Sequence, residues 1–130
     1  MKKILILAAV AASSALVGCN AMEEAAGKMV LGDQFVQAND KLNQCDFSGV
    51  PYLTQQAKSN DQLMASAAAL ALGASYAAGG DLDNAHKMAK LLAANSNGKL
   101  DMKAANVEIL KGAKSTGKDR VKGGFSANCK

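Results

Sequence analysis

The chain has 130 residues, 49% hydrophobic but only 4% aromatic, with a formal charge of +4. That is enough for one domain with a modest core, and poor in the large side chains that usually fill one. A single histidine, His86, excludes His-pair and His-rich metal sites. One proline, abundant alanine and no stretch with a strand period exclude a β architecture.

In chain order, Lys2 and Lys3 precede an apolar run over residues 4–16, "ILILAAVAASSAL". The run has the length of a signal-peptide core and is too short for a permanent membrane anchor. It closes in Leu16-Val17-Gly18-Cys19, which resembles the lipobox of bacterial lipoproteins. The resemblance implies cleavage before Cys19, a diacylglyceryl group on its thiol and an acyl chain such as palmitate on the new amino terminus. Several acyl chains on one residue suffice for stable anchoring. An ordinary secretory signal cut at another small residue is the alternative. Asn20, in place of an inner-membrane retention Asp, resembles an outer-membrane address, with the domain facing the periplasm and surface exposure left open. The expected organisation is a signal peptide over 1–18, a lipid-anchored segment over 19–28, a helical domain over 29–116 and a basic, Gly-rich loose tail over 117–130.

The helical domain is expected to be all-α, with four or five helices in antiparallel hairpins. Residues 22–44 place Ala26, Met29, Val30, Val36 and Leu42 near one face of a first helix. Gly49 and Pro51 mark a boundary, since proline suits a first helical turn. Asn60 or Asp61 caps a helix that stops at Gly79-Gly80, Asp81 or Asp83 starts the next, and Asp101 caps a last helix reaching about Lys114. The stretch 63–78 is apolar all round, which predicts a buried central helix.

Leu31-Gly32-x-x-Phe35 repeats as Leu72-Gly73-x-x-Tyr76, and Ala85 and Ala89 follow the second copy. The second unit, "ALALGASYAAGGDLDNAHKMAKLLAANS", resembles a tetratricopeptide (TPR) repeat, although Ala69 and Asn97 replace its usual tryptophan and closing proline. The resemblance implies a short array in which Gly73 permits close helix approach, Tyr76 fills the gap between turns and Ala85 and Ala89 keep the partner helix face thin. The last helix would cap the array.

Residues 112–119, "GAKSTGKD", come within one position of a phosphate-binding loop. Asp119 stands where the magnesium-binding hydroxyl belongs, and the preceding "NVEILK" reads as helix rather than strand. The match is therefore coincidental, and no nucleotide, cofactor or metal is expected. Scarce aromatics among the C-terminal basic residues argue against nucleic acid. Residues 19–85 carry three lysines against eight acids, a net of −5, whereas residues 86–130 carry ten basic residues against three acids, a net of +7. Cys45 and Cys129 remain for an oxidising compartment, and a disulfide between them would close a loop of 84 residues. One buried thiol with the other pairing between molecules is the alternative. The expected function is a non-catalytic adaptor that presents a TPR-like concave surface to another envelope protein, using the face with Asn84, His86, Lys87 and Lys90. The second expectation is a glycan- or small-ligand-binding lipoprotein that touches peptidoglycan or lipopolysaccharide through its basic C-terminal part.

Overall fold

Three aspartates, each spending its side chain on orphaned amide groups, start three of the five α-helices among the described residues. Asp61 accepts from the backbone N–H groups of Leu63 (3.1 Å) and Met64 (3.3 Å), Asp81 from that of Asn84 (3.2 Å) and Asp101 from that of Ala104 (2.8 Å). The computed structural model describes residues 31–130, and these are wholly helical apart from turns and the C-terminal segment. The expected signal peptide, Cys19 and the segment 19–28 lie outside the described residues. The order is α1 (Asp33–Asn43), a single 3₁₀ turn (Phe47–Gly49), α2 (Val50–Ala57), α3 (Gln62–Ala78), α4 (Leu82–Ala94) and α5 (Met102–Lys122).

Of the first helix expected over 22–44, residues 22–30, with Ala26, Met29 and Val30, lie outside the described residues. The helix is interrupted at Gly32, which has φ +89° and caps α1. A Cβ there would meet nothing within 4 Å, so Gly32 is a conformational break and not a close-approach glycine like Gly73. The buried face is Phe35, Ala38 and Leu42, with Leu31 buried beside it, while Val36 is only half-buried. Cys45, at φ +58°, ends α1: its N–H donates to Leu42 O and that of Asp46 to Lys41 O. Asp46 then accepts from the Ser48 N–H, which holds its carboxyl below the usual carboxylate range. Gly49 lies so close to α1 that a Cβ would stand 2.9 Å from the Ala38 Cα. Pro51 occupies the first turn of α2, whose Leu53 and Ala57 enter the core.

Helix α3 is the central element that its all-round apolarity implies, with ten successive or near-successive residues from Ala65 to Ser75 buried. Alanine dominates it, so neighbouring helices come close. A Cβ on Gly73 would lie 2.6 Å from Ile109 Cδ1 and 3.2 Å from Met88 Cβ, and one on Gly112 would lie 3.0 Å from Ala74 Cβ. Leu72, Ala85 and Ala89 are buried and Tyr76 is half-buried along the α3–α4 hairpin. Burial, and then the nearby Asp81 carboxylate, raise the Tyr76 hydroxyl pKa. Gly79 and Gly80 (φ +83°) close α3, with the Asp81 N–H reaching back to Tyr76 O at 2.9 Å. Beyond α4, the amide of Asn97 in the α4–α5 turn exchanges two hydrogen bonds with that of Gln62 (2.7 and 2.8 Å), fastening this turn to the start of α3.

The last helix runs two turns beyond its expected end, so the loose tail over 117–130 is corrected. Gly112 and Gly117 are interior helix positions, each costing about 1 kcal/mol of intrinsic propensity. Packing offsets that cost. Gly112 faces Ala74, and Gly117 faces Ala127 of the returning C-terminal segment, 3.4 Å from where its Cβ would be. "GAKSTGKD" is thus helix, with its backbone groups engaged in α5 rather than arranged around a phosphate.

Arg120, counted in sequence among the basic residues of that tail, has no exposed surface. Its Nε donates to Leu42 O (3.1 Å), Nη1 to Ala127 O (3.0 Å) and Nη2 to Ser75 Oγ (2.9 Å). Desolvation lowers its pKa from the ordinary value, but a guanidinium remains charged in such a site. Beyond Lys122, Gly124 (φ +89°) reverses the chain, with the Phe125 N–H bonding Arg120 O at 2.8 Å. The segment then returns to α1, where Cys129 forms the expected disulfide with Cys45, Cα–Cα 5.5 Å. Constraining 84 residues of chain in this way is worth about 4–5 kcal/mol on the chain-entropy account.

Two stability outcomes are expected. Gly73→Ala should cost about 1–3 kcal/mol in denaturant unfolding by overpacking. Combining it with Ile109→Val, which removes the Cδ1 atom in the way, should recover part of that loss. Strict additivity of the two changes would mean that Gly73 and Ile109 are not in steric conflict. Arg120→Met should cost roughly 3–5 kcal/mol with the disulfide intact, because the buried Leu42 O and Ser75 Oγ and the part-buried Ala127 O lose their donor. Lys122→Met should stay within about 0.5 kcal/mol of wild type. Equal effects of the two would refute the anchoring role of Arg120.

Candidate interaction surface

Helix α4 packs against α3 and α5 through Ala85, Ala89 and Leu92, with Met88 and Leu91 half-buried. Its opposite face is turned to solvent. Asp83, His86, Lys87 and Lys90 are exposed there, and their three- and four-residue spacing places them along one row. Asn84 stands apart from that row. It is half-buried and committed to the start of the helix, where its Nδ2 donates to Asp81 Oδ2 at 2.7 Å and its N–H to Asp81 Oδ1. Three of the four residues picked from sequence therefore share a surface, and the fourth belongs to a cap.

The Asn84 side chain, and then its backbone N–H, hold the Asp81 carboxyl below the ordinary carboxylate pKa. The row lies on the side of α4 turned away from α3 and α5, so it does not line the concave surface expected between the hairpins. Helix α3, which would floor a concave surface between hairpins, is enclosed by α2, α4 and α5. Among the described residues, no group of three or more His, Cys, Asp or Glu is placed to hold a metal ion. Also among them, no helix is long and apolar enough to cross a membrane.

A second exposed face was not singled out in the sequence. On α5, Lys103, Val107, Leu110, Lys114, Lys118 and Val121 recur at three- or four-residue intervals and all are exposed, with Lys111 and Lys122 alongside. The signal for it was present: the lysine-and-aliphatic register continues unbroken past Gly117, where a loop would have scrambled it. Compared with known protein families, curated proteins and solved structures, the chain matches none of them.

The Asp81 site carries a pH signature. Its folded pKa is depressed, so its contribution to stability is present above the unfolded pKa and disappears as pH falls through the lowered folded value. In Asp81→Asn, which keeps a capping oxygen without a charge, the melting temperature should lose part of its fall below about pH 4. The two melting curves should separate near neutrality and converge in acid. Parallel curves across that range would exclude the assignment.

Proposed function

We propose that the protein is an outer-membrane lipoprotein, held by acyl chains on Cys19 and facing the periplasm. There it acts as a non-catalytic adaptor that docks another envelope protein. The observation that carries the proposal is the solvent-facing row of His86, Lys87 and Lys90 with Asp83 on α4, mounted on a helix whose other side is locked into an alanine-rich core. Side chains on a rigid helix meet a partner with little ordering cost beyond their own rotamers. The four lipobox positions, Leu16 to Cys19, support the anchor. The α3–α4 hairpin supports a relation to TPR-like units, with Gly73 at the point of closest approach. The enclosed α3 directs docking to the outer face of α4 and away from an inner groove.

Mass spectrometry of the mature protein should find Cys19 as the first residue, carrying two or three acyl chains. Cys19→Ser should release the protein from membranes washed in molar salt, where wild type stays bound. Cross-linking in intact cells should give a discrete heterologous species that disappears in the triple variant His86→Ala, Lys87→Glu, Lys90→Glu. All three positions are exposed, so folding should be unchanged. A species that persists in the triple variant would remove α4 as the docking face. Salt-sensitive retention on purified cell-wall polymer, with no cross-linked protein, would favour a glycan-binding role instead.

A further inference from the structure

The outer face of α5 has a composition that no packing role explains. Over 21 residues, about 31 Å of helix, it carries Lys103, Lys111, Lys114, Lys118 and Lys122. Between them stand three aliphatic side chains that remain largely exposed: Val107 (44%), Leu110 (53%) and Val121 (59%). The helix's own acids, Glu108 and Asp119, are half-buried at the margin of this face, and Glu108 approaches Lys111 at 3.6 Å. The opposite side is fixed in the core through Ala105, Ile109, Gly112 and Arg120. The lysines are consequently presented together and cannot turn away.

The geometry points to an anionic phospholipid surface as the occupant of this face. Charge complementarity is the first reason: five ammonium groups line one long, straight helix. The second is the type of cation. Lysine is a mobile, hydrated point charge suited to diffuse headgroup phosphates. The planar fork of arginine suits fixed bidentate partners, and the chain's one arginine, Arg120, is buried elsewhere. The third is the short aliphatic side chains among the lysines, which can enter the headgroup region as the lysine stems reach outward. A folded acidic partner would instead be expected to meet a shaped pocket or aromatic anchors, and this face has neither aromatic residue nor arginine. The surface is distinct from the α4 row, and its occupancy does not depend on a protein partner or on acylation of Cys19.

Per-lysine labelling with an amine-reactive reagent tests this in the full-length protein under single-hit conditions. The protein is mixed with phosphatidylcholine vesicles or with vesicles containing an equal share of phosphatidylglycerol, and read out by mass spectrometry. Comparing two lipids for one protein cancels any contribution of an acyl anchor. On the anionic vesicles at low salt, Lys103, Lys114 and Lys118 should label at least about threefold more slowly than Lys58 and Lys87, because each lysine near such a surface gains about fivefold in affinity. The protection should vanish in molar salt, where the Debye length falls to about 3 Å. It should also vanish for Lys103 in the doubly reversed variant Lys114→Glu, Lys118→Glu, whose fold is checked by circular dichroism. Equal rates on the two lipids, protection centred on Lys87, or protection by soluble polyglutamate with none by vesicles would each overturn the assignment; the last would give the face to an acidic protein.

Discussion

A single guanidinium ties together the parts of this protein that its sequence separates most widely. Arg120 joins the end of α1, the last turn of α3 and the returning C-terminal segment through Leu42 O, Ser75 Oγ and Ala127 O. Leu42 O is among the last carbonyls of α1, at the negative end of its dipole, and it accepts the Arg120 Nε–H alongside the Cys45 N–H. A cation is the group that such a site favours. The disulfide fastens the same two segments a few residues away, with Cys45 just past Leu42 and Cys129 just past Ala127. Covalent and hydrogen-bonded links thus act in parallel, and the final residues become part of the folded body.

That double fastening suits a core made mostly of methyl groups. Ala65, Ala68, Ala69, Ala89 and Ala105 are fully buried, and the larger core side chains are leucines with Phe35 and Ile109. Alanine and glycine let helices approach closely, but each buries little apolar area, so the hydrophobic contribution per residue is small. Gly73 against Ile109 and Gly112 against Ala74 show how far the approach is taken. A long-range cross-link and a buried arginine compensate for volume that leucine or phenylalanine would otherwise supply.

With α3 enclosed, the outer faces of α4 and α5 are two of the surfaces that remain exposed. They differ chemically. The α4 row mixes His86, Lys87 and Lys90 with Asp83 on a short helix. The α5 face is longer, carries only cations along its centre and intersperses aliphatic groups. The charge asymmetry between the two halves of the chain becomes, in the folded molecule, a basic surface along one helix. A protein partner and a membrane could then be met by different sides of the same small body.

Sequence alone determined the helical class, the buried position of α3, the Asp101 cap and the stop at Gly79-Gly80. It narrowed two other caps to Asn60 or Asp61 and Asp81 or Asp83, and favoured the pairing of the two cysteines; the structure decided for Asp61, Asp81 and the Cys45–Cys129 bridge. Each rests on local chemistry: an acceptor for free amides, a left-handed turn at glycine, an apolar pattern without a polar side, two thiols in one domain. The three helix-interior and break positions of glycine were decided otherwise. Gly32, Gly112 and Gly117 look alike in sequence, yet the first is a left-handed break and the other two are close-packed helix. What separates them is whether another helix or segment stands where a Cβ would be, which depends on residues far along the chain. The same holds for Arg120. In sequence it is one basic residue in a basic stretch, and its burial follows only when α1, α3 and the C-terminal segment converge to supply three oxygens within hydrogen-bonding distance. His86, Lys87 and Lys90 were placed on one face by helical spacing, whereas Asn84 was drawn out of that face by the Asp81 carboxylate. Helical periodicity orders side chains around a single axis, but only the packing of several axes decides which of them reach solvent and which find a partner.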